Sequence, residues 1–287
     1  DPLTGLSGLL SAAVALVAAH LFGLNTKELR NGIFSFNALL SGLALGSAFQ
    51  FHPLAIVVVS LLTLLLTLVI SAVTSRFNLP FLSLPFVVAG WVIALNPVTV
   101  NCCFTPRAVS DFFIAQQLSG PLDELFAHSA AGLYLRSLSA IFFQNNCLSG
   151  LLIAIGLLVY SRIAFLLSVT GFAAGWIWFK VTGGLPADAY YYSSFNYILT
   201  AIGLCGFFLL PSRSSLLFAI ASMPVVGLLY GACAVLFRYS QLPVYSLPFS
   251  LATLAMVTAL SLRRRGNRLR PVYLQLYSPE NNLYRAL

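Results

Sequence analysis

Apolar runs about as long as a bilayer is thick, separated by short polar or proline-marked breaks, follow one another along the whole chain. A helix needs about 20 residues to cross ~30 Å of hydrocarbon. The pattern therefore predicts spanning helices over residues 3–22, 32–51, 54–73, 138–160, 162–181, 194–210 and 216–237. Two further apolar runs, 83–95 and 246–262, are shorter, and each follows a segment broken by prolines. Those segments read NLPFLSLPF at 78–86 and QLPVYSLPF at 241–249. Short, proline-interrupted segments at matching places in two halves point to broken or re-entrant helices that form a site at mid-membrane.

The halves are related by an internal repeat. Phe36-Asn37 recurs as Phe195-Asn196 (195 − 36 = 159) and Ser83 recurs as Ser246 (246 − 83 = 163), with Ser41 opposite Thr200 inside FNALLSGLALG and FNYILTAIGLCG. Residues 138–160 have no partner in the first half, so the first helix of the first repeat is missing from this chain and is expected upstream of Asp1. Five apolar segments between 138 and 262 are an odd number, which turns the second copy upside down. The expected fold is an all-α integral membrane protein built from two inverted repeats of about five transmembrane helices, each with one short proline-interrupted pore helix. Its expected parts are a first repeat at 1–100, an outer connecting loop at 101–135, a second repeat at 136–262 and a basic cytoplasmic tail at 263–287.

Composition sharpens this picture. Hydrophobic residues make up 59% of the 287 and charged residues 8%, where a soluble domain carries roughly a quarter charged. The net charge of +8 does not indicate nucleic acid, because Arg263, Arg264, Arg265, Arg268 and Arg270 cluster just past an apolar segment. That is the positive-inside pattern of a cytoplasmic end beside lipid. The loop between the halves sets Arg107 against Asp111, Asp123 and Glu124 and fits the outer side.

Chemistry on the chain is sparse. The acids Asp1, Glu28, Asp111, Asp123, Glu124, Asp188 and Glu280 fall in predicted loops or tails, and His20, His52 and His128 are scattered. Cys147, Cys205 and Cys233 read as packing residues and Cys102 and Cys103 as loop thiols, with no C-x-x-C spacing. Nothing suggests catalysis, a metal or a cofactor. A coupled transporter usually carries an intramembrane ionisable group. Its absence from the pattern favours passive passage of a neutral solute.

In the doubled motif, Pro80 and Pro85 remove backbone donors and free carbonyls, which hydrocarbon tolerates only beside a wet cavity or other protein. Ser83 is expected to cap the short helix that follows, and Ser246 to do the same in the second copy.

These stretches resemble the urea transporter family. Its signature L-P-x-x-[ST]-x-P-F stands here as LPFLSLPF and LPVYSLPF, with NGIFSFNALLSGLALG at 31–46, SSFNYILTAIGLCG at 193–206, FFQNNCLSGLL at 142–152 and YSPENNLY at 277–284. The resemblance covers nearly the whole chain. It implies a urea channel with a slot between phenylalanine rings and ladders of oxygens, in a homotrimer with one pore per subunit. It also implies that Phe36 and Phe195 are slot aromatics, that Leu40 and Leu199 lie one turn later, and that Phe143 is the second ring of one half. Ser83 and Ser246 stand where the family usually has threonine, and Ala140 where it commonly has glutamine. Those differences leave open a channel for another small neutral solute, such as ammonia, water or a short amide. A non-conducting sensor or anchoring module is the alternative of a different class.

Overall fold

Hydrocarbon offers a backbone amide no partner, so an apolar run folds as a helix that closes its own hydrogen bonds. The computed structural model describes residues 1–95, 104–107, 113–127, 129–183, 187–262, 269–272 and 278–286. Within them the chain forms α1 (Pro2–Leu21), α2 (Thr26–Arg30), α3 (Ile33–Ala48), α4 (Pro53–Ser75), α5 (Leu84–Ala94), α6 (Phe113–Leu125) and α7 (Ala130–Ser139). There follow α8 (Cys147–Tyr160), α9 (Arg162–Val181), α10 (Ala187–Ile202), α11 (Arg213–Ala221), α12 (Met223–Arg238), α13 (Leu247–Ser261) and α14 (Pro279–Ala286). Four segments are long and apolar enough to cross a membrane: α1, α4, α9 and the α11–α12 run; the bent α7–α8 pair makes a fifth if it is one span.

One unit of the chain comprises Asp1–Gly120, Phe142–Gln144 and Phe237–Tyr245. Here α1 and α3 touch through small residues. A Cβ on Gly42 would fall 2.4 Å from Ser11 Cβ, and one on Gly46 would fall 2.8 Å from Ser7 Cβ. Between membrane helices, small faces of this kind replace a hydrophobic drive that lipid does not supply. Hydroxyls then stitch the packed faces: Ser11 donates to Ala38 O at 2.7 Å and shares a 2.8 Å bond with Ser60 of α4, and Ser41 and Thr63 share a 2.9 Å bond. All five of these side-chain-bearing positions, Ser11, Ala38, Ser41, Ser60 and Thr63, are fully buried.

Arg107, expected among the loop charges, is instead buried in an ion pair with the Asp1 carboxylate, and it also donates to Gly46 O at 2.7 Å. Around it the backbone closes a two-bond bridge, Gln50 N to Thr105 O at 2.8 Å and Arg107 N to Ala48 O at 3.1 Å. Asp111, Cys102 and Cys103 lie outside the described residues.

The other unit comprises Pro121–Ile141, Asn145–Leu236 and Ser246–Leu287. Glycines again permit close approach: a Cβ on Gly171 would fall 2.7 Å from Ala201 Cβ, and one on Gly175 would fall 2.5 Å from the Tyr197 ring. The end of the α10 segment is a π-helical turn at Gly203–Phe208. There the same kind of bridge recurs, with Leu210 N donating to Arg270 O and Val272 N to Phe208 O, both at 2.9 Å. Thus the described part of the expected tail is packed structure. Its α14 places Glu280 Oε1 2.9 Å from the Ile163 amide, in the first turn of α9. Arg263, Arg264, Arg265 and Arg268 lie outside the described residues, as does His128.

Two expectations need correction, and a third holds with an interruption. Residues 138–160 are not one continuous helix: α7 ends at Ser139, a 3-10 turn follows, Phe143 takes a left-handed φ of 59°, and α8 leaves at a bend of 82°. The cause is local, since Asn146 accepts from the Ser149 amide at 2.7 Å and so starts a new helix. The 216–237 run lies within one span, Arg213–Arg238, with a one-residue interruption at Ser222, two residues before Pro224. And the acids are not all in loops, because Glu28 sits on α2, Asp123 and Glu124 on α6, Asp188 in the first turn of α10 and Glu280 on α14.

The repeat is visible as local structure. Helices α1 and α9 are each 20 residues long and offset by 160 (162 − 2). The left-handed residues Asn78 and Leu82 recur as Gln241 and Tyr245, both offset by 163.

Two measurements check this frame. Gly42→Leu is expected to cost about 1–3 kcal/mol or more by overpacking, read as a lower melting temperature in detergent, while Gly5→Ala, which faces open space, leaves it unchanged. Burial pushes the Glu280 carboxyl up, but hydrogen bonds from the Ile163 amide and the Ser161 and Ser278 hydroxyls outweigh it and hold the group below its ordinary value. A carboxyl depressed in the fold contributes stability above its unfolded pKa and loses it as pH falls through the folded one. Amide protection in 278–286, corrected for the intrinsic exchange rate, should therefore fall as pH drops through the depressed folded value, and Glu280→Gln should abolish that dependence.

Candidate functional site

Each proline-broken segment has to stop one helix and start another without water. In the first copy, Pro85 is the second residue of α5 and brings no N–H, so the first amide in need of a cap is that of Phe86. Ser83 stands at the N-cap position, but its backbone lies at φ −98°, ψ 13°, and its hydroxyl does not bond the first turn. A capping hydroxyl normally rides on an extended residue. The expectation that Ser83 caps α5 is therefore corrected, and Ser246, at φ −91°, ψ 20°, departs from α13 in the same way.

The cap comes from another helix. Asn37 of α3 accepts from the Phe86 amide through Oδ1 at 3.2 Å and donates from Nδ2 to Leu82 O at 3.2 Å. Asn196 of α10 accepts from the Phe249 amide, the third residue of α13, at 3.1 Å. Both asparagines are fully buried. These are the residues that sequence reasoning missed. They served as markers of the repeat, and the available signal was a lone amide side chain in each of two apolar helices, which must find a partner when buried.

Leu82 and Tyr245, just before the two serines, are held at φ 49° and 50°. Left-handed geometry at a bulky residue costs about 1–3 kcal/mol and persists only where its surroundings enforce it. For Leu82 the enforcement is visible, since Asn37 holds its carbonyl. Other freed oxygens also find protein donors: the Trp91 indole donates to Pro243 O at 2.9 Å. A carbonyl has two lone pairs, so each retains one for a further donor.

In the first unit, Phe143 joins Phe86 and Tyr245 in a triangle of rings, with centroids 5.7, 5.8 and 4.8 Å apart for the Phe86–Phe143, Phe143–Tyr245 and Phe86–Tyr245 pairs. Phe86 and Tyr245 were not among the expected site residues. Gly90 makes room for this cluster, because a Cβ there would fall 2.5 Å from the Tyr245 ring. Ser83 is buried, Leu40 is buried on α3, and Phe36 is half exposed outside the triangle. In the second unit, Phe195 and Ser246 are buried, Leu199 is partly buried, and the Phe195 ring meets Tyr192 edge-on at 6.3 Å. Ala140 is buried in the 3-10 turn before Phe143. Among the described residues no group of three or more His, Cys, Asp or Glu side chains is placed to hold a metal ion.

The sequence model of the urea transporter family matches residues 1–261. The chain belongs to that family, whose activity is carrying urea across a membrane.

Replacing either strut tests its role. Asn37→Leu and Asn196→Leu each leave a buried first-turn amide unpaired, a loss of about 1–3 kcal/mol. Both variants should melt lower in detergent, since each asparagine makes more than one side-chain hydrogen bond. Equal melting of wild type and both variants would remove the asparagines from the account.

Proposed function

We propose that this member of the urea transporter family conducts urea passively, through a pore lined by phenylalanine slots and ladders of oxygens. The observation that supports the reading is the pair of asparagine struts. Asn37 and Asn196 cap α5 and α13 and so set where each broken helix begins, directly beside Ser83 and Ser246. A hydroxyl and neighbouring carbonyls at a helix break can replace hydration for a solute's N–H groups. Losing that hydration without replacement costs roughly 2–7 kcal/mol per polar group.

Phe36, Phe195 and Phe143 supply aromatic faces for a flat, uncharged molecule, and Leu40 and Leu199 narrow the same stretch. Oxygens that stand in for water without holding the solute tightly allow rapid flux. The two halves act as inverted copies, the C-terminal tail is cytoplasmic, and three chains assemble with one pore each.

Stopped-flow light scattering of proteoliposomes tests this. Wild type should pass urea well above empty liposomes, and Ser83→Val or Ser246→Val should slow it about 2- to 10-fold, the worth of one hydrogen bond, with little change in melting. Formamide, acetamide, ammonia and water run in parallel rank the solutes. Urea flux equal to that of empty liposomes would leave a non-conducting sensor or anchor as the reading.

A further inference from the structure

Threonines in the middle of the described helices fold their hydroxyls back onto the carbonyl one turn earlier. Thr63 bonds Val59 O at 2.8 Å, Thr67 bonds Thr63 O at 2.8 Å, Thr170 bonds Leu166 O at 3.0 Å, Thr200 bonds Asn196 O at 2.8 Å and Thr258 bonds Leu254 O at 2.7 Å. This is the usual way for a helical hydroxyl to satisfy itself in an apolar medium. Thr253 of α13 does otherwise. It is 0% exposed, yet its Oγ1 has no hydrogen-bond partner among the described residues. An unmet buried hydroxyl is costly when an acceptor lies one turn back on the same helix, and such groups are characteristically completed by a small polar guest.

Thr253 also ends a line. Ser246, Ser250 and Thr253 are spaced i, i+4 and i+7, on one face of α13, and all three are buried. From the first to the last the helix rises about 10.5 Å. With the repeat offset of 163, the matching positions of the first copy are Ser83, Val87 and Gly90. There the second position is apolar and the third is filled by the Tyr245 ring. The line of hydroxyls is a feature of the second copy, added to a frame that does not require it.

We propose that the Thr253 hydroxyl is a specificity-determining contact for the permeating solute, a small uncharged amide of urea's class, at the far end of the α13 line from Ser246. The proposal rests on the conduction reading above. A threonine hydroxyl can accept from a solute N–H or donate to its carbonyl. It therefore favours an amide, which offers both kinds of partner, over a solute that offers neither.

Flux through proteoliposomes containing the full chain, together with melting in detergent, tests this with Thr253→Val and Thr253→Ser. The isosteric Thr253→Val should slow urea at least threefold while melting no lower than wild type and leaving osmotic water permeability unchanged. Thr253→Ser, which keeps the hydroxyl, should retain most of the urea flux. Unchanged urea flux in Thr253→Val would show a merely buried hydroxyl and overturn the proposal. So would equal slowing in both variants, which would assign the effect to side-chain volume, or an equal fall in water permeability, which would assign the site to water. If wild type itself passed no urea while folding normally, the conduction reading would be the one to fall.

Discussion

An amide that starts a helix inside hydrocarbon has no water to turn to, and the working parts of this protein depend on how that need is met. Proline can end one helix and begin the next, but it leaves the Phe86 and Phe249 amides to be capped by something else. A side chain reaching across from a neighbouring helix does this in each copy. The bond is directional, so it fixes the level at which α5 begins relative to α3, and α13 relative to α10. Phe36 and Phe195 are the chain neighbours of the two asparagines. The aromatic and the broken helix of each half are thereby set by one residue and the next.

That arrangement needs a stiff support. Lipid tails are as apolar as leucine, so helices are held together by close contact and by hydrogen bonds between them. The α1–α3 face provides both, with Gly42 and Gly46 against Ser7 and Ser11 and with hydroxyls reaching to α4. The buried Arg107–Asp1 pair binds the following loop to the start of α1. Removing one partner from such a pair is expensive because the other is left charged and buried.

The two copies share a backbone and differ in chemistry. Left-handed turns, two-bond bridges and amide caps recur at nearly constant offsets. Beside the first break stand three rings and a glycine that admits them, whereas α13 carries three hydroxyls on one face.

Much of this was legible in the sequence. Apolar run length set the helices, proline pairs marked both breaks, and the Phe-Asn and Leu-Pro repeats located the copies, because these depend on local sterics and on backbone satisfaction within a segment. The break at 140–146 was written there too, in the polar Gln144-Asn145-Asn146 run, but run length overrode it. Only the folded chain could decide which group caps α5 and α13. A serine at an N-cap position and an asparagine forty-six residues earlier are equally good candidates on paper (83 − 37 = 46). The choice turns on the ψ angle at the serine and on the distance between two helices, and both are fixed by tertiary packing.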